Sequence, residues 1–96
     1  MSDQEKTERL LKALGEKSRL QIIECIQKGT SNPGKIARNL DRHRATVEKH
    51  LRVLLRAGIV EKVPSLTSQG QLSINYKITE NAAKLLAALK EACREF

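Results

Sequence analysis

Aromatic residues are almost missing from this chain: Tyr76 and Phe96 are the only two, and tryptophan is absent. Single-strand binders stack bases on aromatic platforms, and RNA-recognition sheets do the same, so those modes of nucleic-acid binding lack their main tool here. Cysteine is nearly as scarce. Cys25 and Cys93 lie far apart and outside any CxxC spacing, which excludes the usual zinc or disulfide frameworks and favours two buried small apolar side chains. Long apolar runs are missing too: the longest are a few residues, against the roughly 20 of a bilayer span. The first seven residues, Met1 to Thr7, are polar and mixed in charge, unlike a signal or transit peptide. Acidic residues fall short of basic ones, 11 against 18, for a net charge of +7. Such a surface attracts polyanions, although solubility and ion-pair networks account for the same composition, so position must decide. These shortages lead us to expect one small cytoplasmic domain over residues 1–96 with no membrane partner.

What is present has a clear order. Leu10, Leu11, Ala13 and Leu14 recur at helical spacing from Thr7 to Leu14. Ser18 offers an N-cap for a second helix with Leu20, Ile22, Ile23 and Ile26 on its buried face, stopped by Gly29. Asn32 or Ser31 caps a short third helix with Pro33 at its first position, followed by Ile36, Ala37 and Leu40. Asp41-Arg42-His43 then turns into a longer helix, from about Arg44 to Ala57, with Val47, Leu51, Leu54 and Leu55 on one side and Gly58 at its end. This is helix-turn-helix spacing. Ile59 to Val63 reads as a strand ended by Pro64, and Leu72 to Ile78 alternates as its partner. Between them Ser65 to Gln71 forms a polar wing, too long for a tight hairpin. Thr79 caps a last helix striped by Ala82, Leu85, Leu86, Leu89, Cys93 and Phe96. The fold class expected is α+β: helices, a two-stranded antiparallel wing and a C-terminal helix.

Particular residues sharpen this order into a resemblance. Leu14, Arg19, Leu20 and Ile22, then Ile36-Ala37, Thr46, His50-Leu51, Leu54 and Ala57-Gly58-Ile59-Val60, stand in the register of ArsR-type winged helix-turn-helix regulators, over about residues 8 to 80. The resemblance implies a homodimer joined through the first and last helices, here Leu10, Leu11, Leu14, Leu85, Leu86, Leu89, Cys93 and Phe96. A twofold dimer sets two recognition helices about one DNA turn apart and favours an inverted-repeat operator. Many members sense metals through a cysteine-rich stretch where this chain has Thr30 to Lys35, without thiol, imidazole or carboxylate. The family's other metal site uses Asp and His on the last helix, which here has no histidine. No metal is expected. Arg42 also replaces a usually apolar turn residue.

For duplex DNA, the first residues of the second helix of the motif reach base edges, so His43, Arg44, Ala45, Thr46 and Glu48 are the readout candidates. Arg44 can meet guanine, Glu48 a cytosine amino group, and Ala45 or Thr46 a thymine methyl. Lys35, Arg38, Arg42, Lys49, Arg52 and Arg56 are candidates for phosphates, opposed nearby only by Asp41 and Glu48. In the wing, Ser65, Thr67, Ser68, Gln69 and Gln71 can donate to phosphates or A·T edges, with Lys62 and Lys77 near, or form a plain solvated loop. His50 reads as a packed, hydrogen-bonded histidine; no nucleophile, second ligand-spaced histidine, phosphate loop or carboxylate pair accompanies it. The expectation is therefore a dimeric DNA-binding regulator, more in keeping with a repressor. It is expected to have no enzymatic activity, no cofactor and no evident small-molecule effector. Two alternatives stay open at this point: an architectural protein that binds DNA without sequence choice, and a redox switch through Cys25 or Cys93.

Overall fold

The polar N-terminus is helical. In the computed structural model, which describes residues 1–96, helix α1 (Asp3–Leu14) begins at Ser2, whose hydroxyl accepts from the Glu5 N–H. Asp3 and Glu5 add negative charge where the helix dipole favours it. Caps and charge, rather than burial, hold this first turn, so the helix starts well before the apolar stripe at Leu10. Helix α2 (Lys17–Gln27) is capped by Glu16, not by Ser18: the Glu16 carboxylate accepts from the Ser18 N–H at 3.3 Å. Ser18 instead accepts through its hydroxyl from Arg42. Ile22, Ile23 and Ile26 are buried, while Leu20 faces solvent.

Asn32 caps α3 (Pro33–Leu40), accepting from the Gly34 and Lys35 N–H groups at 2.9 and 3.2 Å. The turn that follows is made by Asp41 at φ 52°, a left-handed conformation that aspartate tolerates better than most residues. It lets the Arg42 N–H close back on the Ala37 carbonyl at 2.9 Å. Helix α4 (Arg44–Arg56) ends with Gly58 at φ 75°, where a side chain would strain the backbone; the Ile59 N–H then reaches the Leu54 carbonyl at 2.9 Å.

Strands β1 (Val60–Leu66) and β2 (Leu72–Ile78) form one antiparallel hairpin, paired from Val60 opposite Ile78 to Leu66 opposite Leu72. Pro64 does not end β1. It sits opposite Ile74, which a two-stranded sheet permits because each strand has an edge where a missing N–H leaves no partner unmet. Ser65 is thus a strand residue, and the wing loop shrinks to residues 67–71, closed by the Thr67 N–H on the Gln71 carbonyl at 2.8 Å. The hairpin docks where the Tyr76 N–H bonds the Ser31 carbonyl at 3.0 Å, just before α3. Thr79 caps α5 (Glu80–Cys93) and its hydroxyl donates to the Gly58 carbonyl at 2.7 Å, so one residue ties the end of α4 to the start of α5.

The core lies between α2, α3, α4 and the base of the hairpin. Ile22, Ile36, Val47, Leu51, Leu54, Ile59 and Val60 are each at most 1% exposed. Leu14 and Ala13 join this core from α1 and Ala82 from α5, after which α5 leaves it: Leu85 and Leu86 are half-buried and Leu89 is 41% exposed. Leu14 is therefore a core residue, corrected from its assignment to a free dimer face. Arg19 completes the scaffold. Its guanidinium donates to the Ala13 and Lys12 carbonyls at 2.6 and 3.0 Å, filling the open end of α1, and to Nδ1 of His50 at 3.2 Å. Since arginine can only donate, His50 is neutral with its proton on Nε2. Burial first, and the Arg19 charge second, hold the His50 imidazole below its ordinary value near 6.5.

Two outcomes follow. Leu51→Ala should lower stability by about 2–5 kcal/mol, read by urea unfolding. Because the folded protein releases the His50 proton more readily than the unfolded chain, this histidine's contribution is full above about pH 6.5 and is lost as pH falls below it. The melting-temperature advantage of the wild type over His50→Gln should accordingly shrink between pH 7.5 and 5; an advantage that stays constant across that range contradicts the clamp.

Candidate nucleic-acid interface

A helix that reads a groove must bury one side and present the other. On α4 the buried side is Val47, Leu51 and Leu54, and Leu55 is half-buried beside them. The other side carries Arg44, Ala45, Lys49 and Arg52, all exposed, with Glu48 and Thr46 half-buried at its margins. His43 occupies the N-cap and makes no side-chain cap hydrogen bond. The first-turn N–H groups of α4 therefore have no capping side chain at the end that points away from the core. The structure brings the readout candidates together in this one turn and a half.

Arg44 and Glu48 meet each other first. Arg44 Nε lies 3.2 Å from Glu48 Oε1, and the Arg44 guanidinium rests over Gly34 at the start of α3. An exposed pair at this helical spacing is worth about 0.3–0.5 kcal/mol, less than a good bidentate base contact of about 1–3 kcal/mol.

Between Pro33 and Ala57 stand seven lysines and arginines against two carboxylates. The ion pairs of the protein show why this matters. Apart from Arg44–Glu48 they are Glu8–Lys12, Glu24–Lys28, Glu61–Lys77, Glu80–Lys84 and Glu91–Arg94, all outside α3 and α4. Lys35, Arg38, Arg42, Lys49, Arg52 and Arg56 are exposed and make no ion pair. One of the seven cations here is ion-paired, against five of the eleven elsewhere in the chain. Arg56 is set apart: it lies at the far end of α4 in an open cleft beside α1, whose charged lining is Glu5, Glu8, Arg9 and Lys12 together with Arg19.

In the wing, Ser65 accepts from Asn75 Nδ2 at 3.0 Å, and Thr67 accepts from the Gln71 N–H at 3.1 Å. Those two hydroxyls act as acceptors within the hairpin and keep an O–H to donate, whereas the side chains of Ser68, Gln69 and Gln71 are exposed and make no hydrogen bond within the chain. Lys77 is paired with Glu61, which leaves Lys62 as the free cation of the strands. No three His, Cys, Asp or Glu side chains converge on a possible metal position. Cys25 is half-buried, and desolvation, helped by the charge of Glu24 and opposed by Lys28, pushes its thiol up. A protonated thiol is a poor redox nucleophile. Cys93 is exposed rather than buried, contrary to expectation, because α5 has left the core there.

The Arg19–His50 contact is the feature that sequence reasoning missed. Both residues stood out in the family register, but their separation by 31 positions hid the bond between them.

Residues 14–63 match the family model of the helix-turn-helix domain. Over 81 residues, 84% of this chain, the sequence is 33% identical to an uncharacterized HTH-type transcriptional regulator of Mycobacterium bovis. The match takes in 50% of that protein, so the chain spans about half the length of the curated relatives it matches. Among solved structures, a homodimeric winged helix-turn-helix DNA-binding domain from Mycobacterium bovis, a possible ArsR-family transcriptional regulator, has a TM-score of 0.79 at 26% identity, over 99% of this chain and 89% of that one. The transcriptional repressor BigR from Xylella fastidiosa has a TM-score of 0.73 at 28% identity, over 95% of this chain and 87% of that one. With a two-sided α4, exposed cations around it and a hairpin beside it, the chain belongs to the helix-turn-helix domain family and has the winged helix-turn-helix fold of the possible ArsR-family regulator it resembles.

Proposed function

We propose that this chain binds duplex DNA with sequence preference, as a homodimer on an inverted-repeat operator, and that occupancy represses transcription. The observation that carries the reading is the charge of α3, α4 and their turn: seven cations stand against two carboxylates, and of the seven only Arg44 is in an ion pair. In this reading Arg44, Ala45, Thr46, Glu48 and His43 face base edges, and Lys35, Arg38, Arg42, Lys49 and Arg52 meet phosphates. Arg56 reaches only the outermost phosphates, given its place near α1. Ser68, Gln69 and Gln71 have whole side chains free to touch the backbone or an A·T edge, and Ser65 and Thr67 can donate through their hydroxyls.

The dimer is supported by apolar surface that one protomer leaves open. On α1 Leu11 is exposed and Leu10 half-buried; on α5 Leu85 and Leu86 are half-buried, Leu89 is exposed and Cys93 is the last helical residue, with exposed Phe96 in the turn beyond it rather than on the helical stripe expected. The homodimeric relative from Mycobacterium bovis and the repressor from Xylella fastidiosa are the models for assembly and for the sign of regulation. No helix is long and apolar enough to cross a membrane, in keeping with action in the cytoplasm. No catalytic step and no small-molecule effector enter this reading.

Selection of bound duplexes from a random pool at near-physiological salt tests it. An enriched inverted repeat with a specificity ratio of about 10³ or more supports the reading; tight, salt-sensitive binding without enrichment replaces it with an architectural role. On the selected site, Arg44→Ala should weaken binding about 10- to 100-fold and relax preference at one base position. Arg52→Ala should weaken all duplexes alike and reduce the slope of log K against log salt by about one.

A further inference from the structure

Every residue between Lys62 and Lys77 is uncharged, in a chain whose residues are 30% charged. This stretch is the outer part of the wing, and its two faces differ. One carries the Asn75–Ser65 hydrogen bond and the Lys77–Glu61 ion pair, so its polar groups satisfy one another. The other begins at Val60 opposite Ile78, passes Lys62, whose exposed side chain lies opposite buried Tyr76, continues through Pro64 opposite half-buried Ile74, and ends at Leu66 opposite Leu72. These two leucines are 73% and 70% exposed. The core-facing stripe of the hairpin thus runs on past the core to its tip, where no part of the chain covers it.

We propose that the wing tip is an apolar wedge, in which Leu66 and Leu72 enter the minor groove beside the major-groove site, part a base step and bend the duplex. The proposal rests on the duplex-binding reading above. Paired residues across an antiparallel ladder stand about 5 Å apart, so the leucines form a single blade. From Tyr76, held at Ser31 just before α3, four strand residues carry the tip about 13 Å outward. That reach takes it beyond the groove occupied by α4 to the flanking one. Minor-groove walls are apolar deoxyribose and its floor presents acceptors, a match to two leucines followed by the free side chains of Ser68, Gln69 and Gln71. No carboxylate at the tip meets phosphate, and no arginine is there to read a narrow groove. Aliphatic side chains that part a base step kink DNA toward the major groove. The step they choose is set by deformability, which favours TA and CA/TG. The operator should therefore prefer such a step under each wing, outside the bases that α4 touches.

The test uses the full chain and the selected duplex, carrying 2-aminopurine at the flanking step in one series and end-labelled for energy transfer in another. Wild type should brighten the 2-aminopurine and shorten the end-to-end distance. Leu66→Ser/Leu72→Ser should do neither and bind about 10- to 100-fold more weakly; Leu66→Met/Leu72→Met, still apolar, should keep the bend. Both positions are exposed, and circular dichroism checks that the variants fold. A wild-type complex with a straight duplex and a stacked flanking step overturns the wedge, as does a serine variant that bends DNA equally. A serine variant that keeps affinity and bend but loses repression in a purified transcription reaction also overturns it, and assigns the leucines to a protein partner. Wild type that binds no duplex at all removes the DNA-binding reading itself, which the binding isotherm shows before any bend is measured.

Discussion

The arrangement depends on the burial of one side of α4. Val47, Leu51 and Leu54 lose nearly all contact with solvent against Ile22, Ile36 and Ile59. Burying side chains of this size stabilises a fold by about 1.5–3 kcal/mol each, which is large beside the few tenths of a kcal/mol of a surface ion pair. The core therefore decides how α4 is rotated, and charge has no vote in it. With the rotation set, Arg44, Ala45, Lys49 and Arg52 must face outward.

Charge then acts where burial leaves it free. The chain has enough carboxylates to pair most of its cations, yet the pairs form on α1, α2, α5 and the hairpin rather than around the helix-turn-helix. An unpaired exposed arginine makes little difference to stability and is immediately available to a phosphate. The Arg44–Glu48 pair is the exception, and it holds the side chain proposed for base readout in place over α3. Arg19 links the two regimes. It closes the end of α1 and holds the ring of His50 on α4, so hydrogen bonds through Arg19 of α2 tie α4 to α1.

Elements defined by burial were legible in the sequence. Ile22, Ile23 and Ile26 on α2, the apolar stripes of α3 and α4, the alternation of β2, Asn32 and Thr79 as caps, and Gly29 and Gly58 as stops stand where periodicity and cap chemistry put them, whereas Leu20, expected on the buried face of α2, faces solvent. Features defined by competition between local options were not. Glu16 and Ser18 can both cap α2, and only the pull of Arg42 on the Ser18 hydroxyl separates them. Pro64 reads as a strand end unless the hairpin is known to have two open edges. Leu14 and Leu11 look alike on one helix, but one faces α2 and the other faces solvent. The outward-facing side of α4 was legible because it is the complement of the buried one. The exposed Leu66–Leu72 pair was not, since its register depends on how far the strands extend.

Hydroxyl-radical footprinting of the selected operator tests the central claim most directly, because it reports the geometry of a twofold dimer with one α4 per half-site. The account predicts two symmetric protected windows on one face of the duplex, about 10 base pairs between centres, with further protection outward where the wings lie. A single window, or uniform protection along the duplex, would contradict it.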